Sequence, residues 1–461
     1  MELTAGAIAE VTGGTVTAGS PSTVASAFTI DSRLAAAGAC FFALQGERDG
    51  HDFVDDAFAR GASVAVVARH VTTRASGSTV TVADALRALQ ELGGHARAQL
   101  ASAVVVGITG SAGKTATKDL TAAAFRPTRR VHASPGSYNN ESGLPLTLLG
   151  ASDDTEVVVT EMGARFAGNI RELCDIARPS VGVITHVGMA HAEHLGGREG
   201  IARVKGELLE ALPATGLAVL NAACDATPGL IARTSARVLV VGRESGVDVR
   251  IDDVRLDDEL RPHFTIATPW GRAGIDLTMR GEHQVENAAM AATVALAFDV
   301  PIDSVVAGLR DARTAALRME IVHTAGGVTL INDAYNSSPT SAAAAVRSLA
   351  RLPVAGRRIA VLGAMLELGA HAETEHAALG ALAASAGIDV LIAVGGPAES
   401  MADGARRAAP GQIAIRAVPD AAAATAALSE EVHAGDGVLV KASRAIGLER
   451  VADEVARGRR Q

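Results

Sequence analysis

The chain is expected to be an α/β protein of three domains. A first α/β unit leads into a central, mostly parallel sheet of the phosphate-loop ATPase type, and a C-terminal Rossmann-like open sheet follows. Three observations predict this. Short β-branched apolar runs alternate with helical stretches along most of the 461 residues, which is the rhythm of parallel sheets covered by helices on both faces. One such run, Val104–Ile108, feeds a glycine-rich loop ending in Lys114-Thr115 and then a helical stretch. With 48% hydrophobic and 20% charged residues at this length, the chain can build two to four ordinary cores.

Residues 1–100 form the first unit, with strands at Ala27–Ile30, Cys40–Leu44 and Val64–Val67 and a helical piece at Phe53–Arg60. The spacing of Leu86, Leu89 and Leu92 predicts a helix over 84–100 that leads out of it. Residues 101–314 form the second, with strands at Val104–Ile108, Val157–Thr160, Val181–Thr185, Leu217–Leu220 and Val238–Val241. Alternating strands and turns over 249–281 predict a small antiparallel excursion, and Glu286–Phe298 an alanine-rich helix. Residues 315–461 repeat the α/β rhythm with strands at Val328–Ile331, Arg358–Leu362, Val390–Val394 and Gly437–Val440. This last unit lacks a G-x-G-x-x-G fingerprint, so no dinucleotide is implied.

The loop Thr109-Gly-Ser-Ala-Gly-Lys-Thr115 carries readable chemistry. Glycines let backbone N–H groups close on phosphate oxygens, and the following helix adds its positive end. Lys114 would reach the β/γ-phosphates and the Thr115 hydroxyl would ligate Mg²⁺. The strict pattern has glycine at 108, where this chain has Ile108. Of 42 basic residues only Lys114, Lys118, Lys205 and Lys441 are lysine. Arginine has taken the surface role, so retained lysines mark positions that need a primary amine.

A net charge of −9 without a long basic stretch argues against nucleic acid as partner. Three dispersed cysteines suggest neither a disulfide framework nor a zinc ribbon. The first residues lack a secretory pattern and no apolar run reaches membrane-spanning length, so a soluble, cytoplasmic protein is expected.

Glu161 ends the run Val157–Thr160, where an acidic metal ligand beside a phosphate loop would stand, although a solvated strand-end carboxylate reads equally well. His186, His191 and His194 suggest a metal, but their spacing is not a standard zinc pattern. Lys205 lies downstream of His191 in Lys-Gly-Glu. A neutral lysine amine can take up CO₂ as a carbamate, whose oxygen suits a hard cation.

Several motifs together resemble the Mur ligases, the ATP-dependent amide-bond enzymes of peptidoglycan precursor synthesis. They are the phosphate loop, Thr160-Glu-Met-Gly163, His191 followed by Ala202-Arg-Val-Lys-Gly-Glu207, and Gly281-Glu-His-Gln-Val-Glu-Asn-Ala-Ala289. Asp31-Ser-Arg33, Phe41–Glu47 and Asp49–Phe53 are similar to the family's nucleotide-sugar unit. The Asp-Asn-Pro-Arg motif of the diamino-acid-adding branch is absent. Instead Asn332–Ser341, Leu362–Gly369 and Val440–Glu449 resemble the branch that adds D-alanyl-D-alanine to UDP-N-acetylmuramoyl-tripeptide.

That resemblance implies a role for each matching residue. Thr109, Gly110, Ser111, Ala112, Gly113, Lys114 and Thr115 would hold the ATP phosphates, and His283 and Asn287 the adenine. Arg318 and Asp333 would close over phosphates and ribose. Thr115 and Glu161 would hold one Mg²⁺, and His191 with carbamylated Lys205 a second. Asp31, Ser32, Arg33, Phe42, Gln45 and His51 would embrace the uridine diphosphate. Asn139, Asn140, Tyr335, Asn336 and Arg444 would meet the peptide substrates. Lys114, Glu161, His191 and Lys205 would be the catalytic set, and the chain a monomer. Tyr-Asn-Ser-Ser-Pro at 335–339 and Met189 before Ala-His depart from the common family pattern without removing a charged group. Tyr138 and Tyr335, the chain's two tyrosines, both fall inside these motifs.

A carboxylate is a poor electrophile, so ATP would convert it to an acyl phosphate that the dipeptide amine attacks. Two alternatives stay open at this point: a diamino-acid ligase, and an ATP-dependent switch with no synthetic step.

Overall fold

In the computed structural model of the protein, residues 1–189, 192–313 and 316–457 are described. His191 and the expected junction between 314 and 315 therefore lie outside the described residues.

The first sheet has five strands in the order Thr15–Ala18, Ser78–Thr81, Ala62–Val67, Ala39–Phe42, Ala27–Thr29. All neighbours but the first pair are parallel. The expected helix at 53–60 is a 3₁₀ turn, Gly50–Phe53, running into a helix at Val54–Ala59. Helix Ala85–Gln99 starts where Asp84 Oδ1 accepts the N–H groups of Leu86 (2.8 Å) and Arg87 (3.0 Å), satisfying donors that the first turn leaves free. Its Leu89 and Leu92 are fully buried. A Cβ on Gly93 would stand 2.8 Å from Pro145 Cα, so glycine is what lets this helix press against Gly143–Leu149 of the next unit. One apolar core runs from Ile8 and Phe42 through these leucines to Leu144, Val158 and Leu208.

The central sheet has nine strands, ordered Gly271–Asp276, Pro262–Thr268, Val249–Leu256, Arg237–Gly242, Leu217–Asn221, Val181–Ile184, Val104–Thr109, Val157–Glu161, Val131–Ala133. The chain fills one side of Val104–Thr109 before crossing to the other, which opens a crevice beyond that strand's carboxyl end. The antiparallel excursion over 249–281 is present, but it extends the same sheet: Val249–Leu256 pairs parallel with its inner neighbour and antiparallel with its outer one. Helix Gln284–Ala297 is buried almost all round, as a helix apolar on every face must be.

The third sheet has six strands, ordered Glu320–His323, Thr329–Asn332, Gly437–Lys441, Arg358–Gly363, Val390–Val394, Ala414–Val418. Only the Glu320–His323 edge is antiparallel. Helix Pro339–Arg351 opens with reciprocal Ser338–Ser341 capping. Among the described residues no helix is long and apolar enough to cross a membrane.

Candidate active site

A cleft of about 1020 Å³ is lined by residues beyond the carboxyl ends of both the central and the third sheet. On the central side the phosphate loop leaves Val104–Thr109. Ile108, where a strict pattern has glycine, is a fully buried strand residue paired with Glu161 across the ladder. The turn begins two residues later, at Gly110, so the substitution costs the loop nothing. Gly113 has φ +81° and a Cβ there would lie 2.7 Å from Asn287 Oδ1. Only glycine meets both demands.

The loop is held from the neighbouring strand exit. Ser111 N–H donates to His186 O (2.8 Å), Ser111 Oγ accepts from Gly188 N–H (2.9 Å), and Thr185 Oγ1 donates to Ala112 O (2.5 Å). Lys114 Nζ donates to Gly110 O at 2.9 Å. Burial lowers its ammonium from the usual range; Glu161 opposes this and Arg318 adds to it.

Glu161 is 2% exposed. Its Oε1 accepts from Asn139 Nδ2 at 2.7 Å, while Oε2 is buried with no hydrogen-bond partner among the described residues. A buried carboxylate oxygen left without a donor is what a cation site provides, and Thr115 lines the same cleft. These residues therefore fit a Mg²⁺ ion. Lys205, on helix Gly197–Glu210, is 2% exposed and does not line the cleft. Burial, then the nearby Lys114 charge, pushes it well below the ordinary lysine range, toward the neutral amine. His191, its expected co-ligand, lies outside the described residues. The other two histidines divide: His186 lines the cleft and the His194 ring stands 5.2 Å from that of Phe166. No group of three or more His, Cys, Asp or Glu gathers as a metal site among the described residues.

The two remaining lysines are also buried. Lys118 Nζ donates to Ser134 O (2.8 Å) and Gly136 O (3.1 Å), tying helix Lys114–Phe125 to the loop that carries Asn139 and Asn140. Lys441 Nζ reaches Asp333 Oδ2 (2.6 Å) and Asn336 O (2.8 Å). Asp333 Oδ1 accepts from Met319 N–H (3.1 Å), so both carboxylate oxygens, expected to face ribose, are engaged by the protein. The Arg318 guanidinium lies 4.2 Å from the centre of the Tyr335 ring, and the Tyr335 hydroxyl bonds Ser137 Oγ at 2.7 Å across the two units. Asn139, Asn140, His283, Asn287, Arg318, Asp333, Tyr335, Asn336 and Arg444 all line the cleft, as do Ser111–Thr115. Thr109 and Gly110 are not part of its lining.

The first-unit candidates lie elsewhere; none lines this cleft. Asp31 pairs with Arg33 (2.6 Å), Ser32 donates to Asp56 (2.8 Å) and Gln45 is exposed. Two expectations are corrected. Phe42 is fully buried in the core, so its side chain underpins that face and offers a ligand no surface. His51 is 5% exposed, with Nδ1 on Asp49 (2.6 Å) and Nε2 accepting from Ala68 N–H (2.9 Å), so both nitrogens are spent on the fold.

Asp119, Thr185, Phe166 and Leu366 also line the cleft and were missed from the sequence. Asp119 follows Thr115 by one helical turn and so shares its face, a signal that was readable. The others come from loops, which carry no periodicity.

Family models match three successive stretches: Mur ligase family, catalytic domain, over 25–104; Mur ligase middle domain over 108–295; and Mur ligase, glutamate ligase domain, over 317–444. The UDP-N-acetylmuramoyl-tripeptide--D-alanyl-D-alanine ligase of Mycobacterium tuberculosis is 40% identical over 98% of this chain and 97% of its own. That of Bacillus subtilis is 35% identical over 90% of each. MurF from Acinetobacter baumannii superposes with a TM-score of 0.89, 30% identity and 99% of both chains covered. MurF ligase from Thermotoga maritima in complex with ADP gives 0.77, with 30% identity, over 93% of this chain and 96% of that one.

Proposed function

The chain belongs to the Mur ligase family, and we propose that its cleft adds D-alanyl-D-alanine to UDP-N-acetylmuramoyl-tripeptide by way of an acyl phosphate. The overall reaction is ATP-dependent ligation in peptidoglycan precursor synthesis. The observation that carries the finer reading is the orphaned Glu161 Oε2 beside Lys114 and Thr115, in a cleft shared by two sheets.

In this reading the tripeptide's terminal carboxylate oxygen attacks the γ-phosphorus and ADP leaves. The dipeptide amine then attacks the activated carbonyl carbon, loses its proton, and expels inorganic phosphate. Negative charge grows on the γ-phosphoryl oxygens in both steps. Lys114 and the N–H groups of the loop would stabilise it, and Arg318, braced on Tyr335, would add a further cation. Mg²⁺ held by Glu161 and Thr115 supplies Lewis-acid charge when bound. A second Mg²⁺ would be held by His191 and Lys205 carrying a carbamate; the low proton affinity of Lys205 supports the neutral amine this requires.

Labour divides along the chain: residues 1–100 take the nucleotide sugar, 101–314 ATP, and 315–461 the dipeptide while closing over ATP. Within the first unit, Asp31, Arg33 and Gln45 remain the groups with surface to offer. Asn139, Asn140 and Asn336 would meet the peptide, and exposed Arg444 its carboxylate. The protein acts as a cytoplasmic monomer.

The test is a coupled phosphate-release assay with each substrate omitted in turn. Release that requires both the muramoyl tripeptide and D-alanyl-D-alanine is expected. Release with the tripeptide alone, or a requirement for a diamino acid instead, overturns the reading.

A further inference from the structure

The segment Gly363–Gly369 leaves the third sheet beside Lys441 and turns into the cleft, which Leu366, Glu367 and Leu368 line. Glu367 has φ +61°, a conformation L residues rarely hold without support from their surroundings. Leu366 is 45% exposed although it is a large apolar side chain, and Phe166 on the opposite bank is 57% exposed. The flanking residues join the banks: Arg165 pairs with Glu367 at 3.6 Å, and Glu193 N–H donates to Glu367 O at 3.2 Å.

What holds the turn lies underneath. His376, on helix Ala372–Ser385, is 1% exposed. Its Nδ1 stands 2.6 Å from the Ala372 carbonyl oxygen, which can only accept, so Nδ1 carries the proton. Nε2 is then a lone pair, and it accepts the Met365 N–H at 2.8 Å. Next in the chain, Leu366 N–H donates to Ser443 Oγ at 3.0 Å, and Ser443 N–H donates to Ala364 O at 3.0 Å. Two consecutive backbone donors are thus held by side chains from a helix and from the strand exit at 443. Met365 and Leu368, both 2% exposed, anchor the turn in the core on either side. Leu366 is the residue left facing out.

We propose that His376 is a positioning residue: from beneath the turn, in one neutral tautomer, it fixes the backbone that presents Leu366 to the cleft as an apolar wall for the methyl groups of the incoming dipeptide. This rests on the reading of the protein as a dipeptide ligase. The ATP side is separate, since the phosphate loop is held by Thr185, His186 and Gly188 of the central unit. Displacing a substrate-positioning group by about 1 Å costs up to roughly a hundredfold in rate, so a loosened turn should act on the dipeptide and spare the nucleotide.

The experiment compares His376→Leu, His376→Gln and wild type in full-length protein by steady-state phosphate release, varying D-alanyl-D-alanine, ATP and muramoyl tripeptide in turn. His376→Leu fills the site but cannot accept the Met365 N–H; the dipeptide KM should rise about tenfold or more while the KM values for ATP and tripeptide stay within about twofold. His376→Gln offers an acceptor oxygen near the Nε2 position and should recover part of that loss. Ser443→Ala removes the neighbouring support and gives a second route should His376→Leu fold poorly. An unchanged dipeptide KM in both His376→Leu and Ser443→Ala, or an equal rise in all three KM values, overturns the proposal. Wild type that ignores the dipeptide defeats the ligase reading itself, which keeps the two failures apart.

Discussion

Replacing Lys205 separates a carbamate-bearing lysine from one kept for its charge. The residue is 2% exposed on the buried face of its helix, among Ile201, Val204 and Leu208. Its proton affinity is lowered first by burial and then by Lys114. Lys205→Arg puts a guanidinium that cannot shed its proton into that place; an uncompensated buried charge costs about 3–5 kcal/mol. The larger head must also find room in a packed interior. Lys205→Met keeps the chain length and removes the polar end, so stability should hold or rise by about 1–3 kcal/mol, the cost of burying such a group. Neither variant can form a carbamate, so both should lose about a hundredfold or more in turnover. Urea unfolding and phosphate release on the same samples give both numbers. Lys205→Ala leaves space for a small carboxylate, so added formate or acetate should restore part of its activity and none of that of Lys205→Arg. Lys205→Arg with more than about a tenth of wild-type turnover would end the carbamate idea.

Lys114→Ala should fold normally, because among the described residues Lys114 Nζ holds only the Gly110 carbonyl, and lose about a hundredfold or more in kcat; near-normal turnover refutes the phosphate-loop assignment. Gly113→Ala should destabilise by at least about 1–2 kcal/mol and weaken ATP, since it faces both a left-handed backbone and Asn287; unchanged ATP affinity counts against that geometry. Asp31→Ala and Arg33→Ala should raise the KM for the nucleotide sugar and leave that for ATP alone, as neither lines the cleft; the reverse pattern dismantles the division of labour. His132 and His376 have folded pKa values below the ordinary 6.5 because of burial. Below pH 6.5 the unfolded chain therefore binds protons that the folded chain refuses. Their contribution is fully present above 6.5 and is lost as pH falls toward the folded values, by up to about 1.4 kcal/mol per pH unit each. Urea midpoints that stay level from pH 7.5 to about 5.5 contradict this.

The sequence alone determined what depends on local chemistry. The run Val104–Ile108 followed by Gly110, Gly113, Lys114 and Thr115 specifies strand, turn and helix, because left-handed backbone, a compact cation and a hydroxyl each admit few residue types. The four lysines are all drawn inward: Lys114 and Lys441 line the cleft, and Lys118, Lys205 and Lys441 are buried. The helix 84–100 was legible from one leucine stripe, with its ends within a residue; its capping by Asp84 emerged only in the structure. Which residues share a site was beyond that reading. Glu161 meets Asn139, and Asp333 meets Lys441, through pairings between segments far apart in the chain. Phe42 and His51 show the same boundary, since whether a side chain faces a ligand or the core depends on what packs over it. The role of His376 lies further still from sequence. Nothing in Ala372–Ser385 says that one histidine nitrogen will support the backbone of Met365, eleven positions before it; only the folded packing of helix, turn and strand exit decides it.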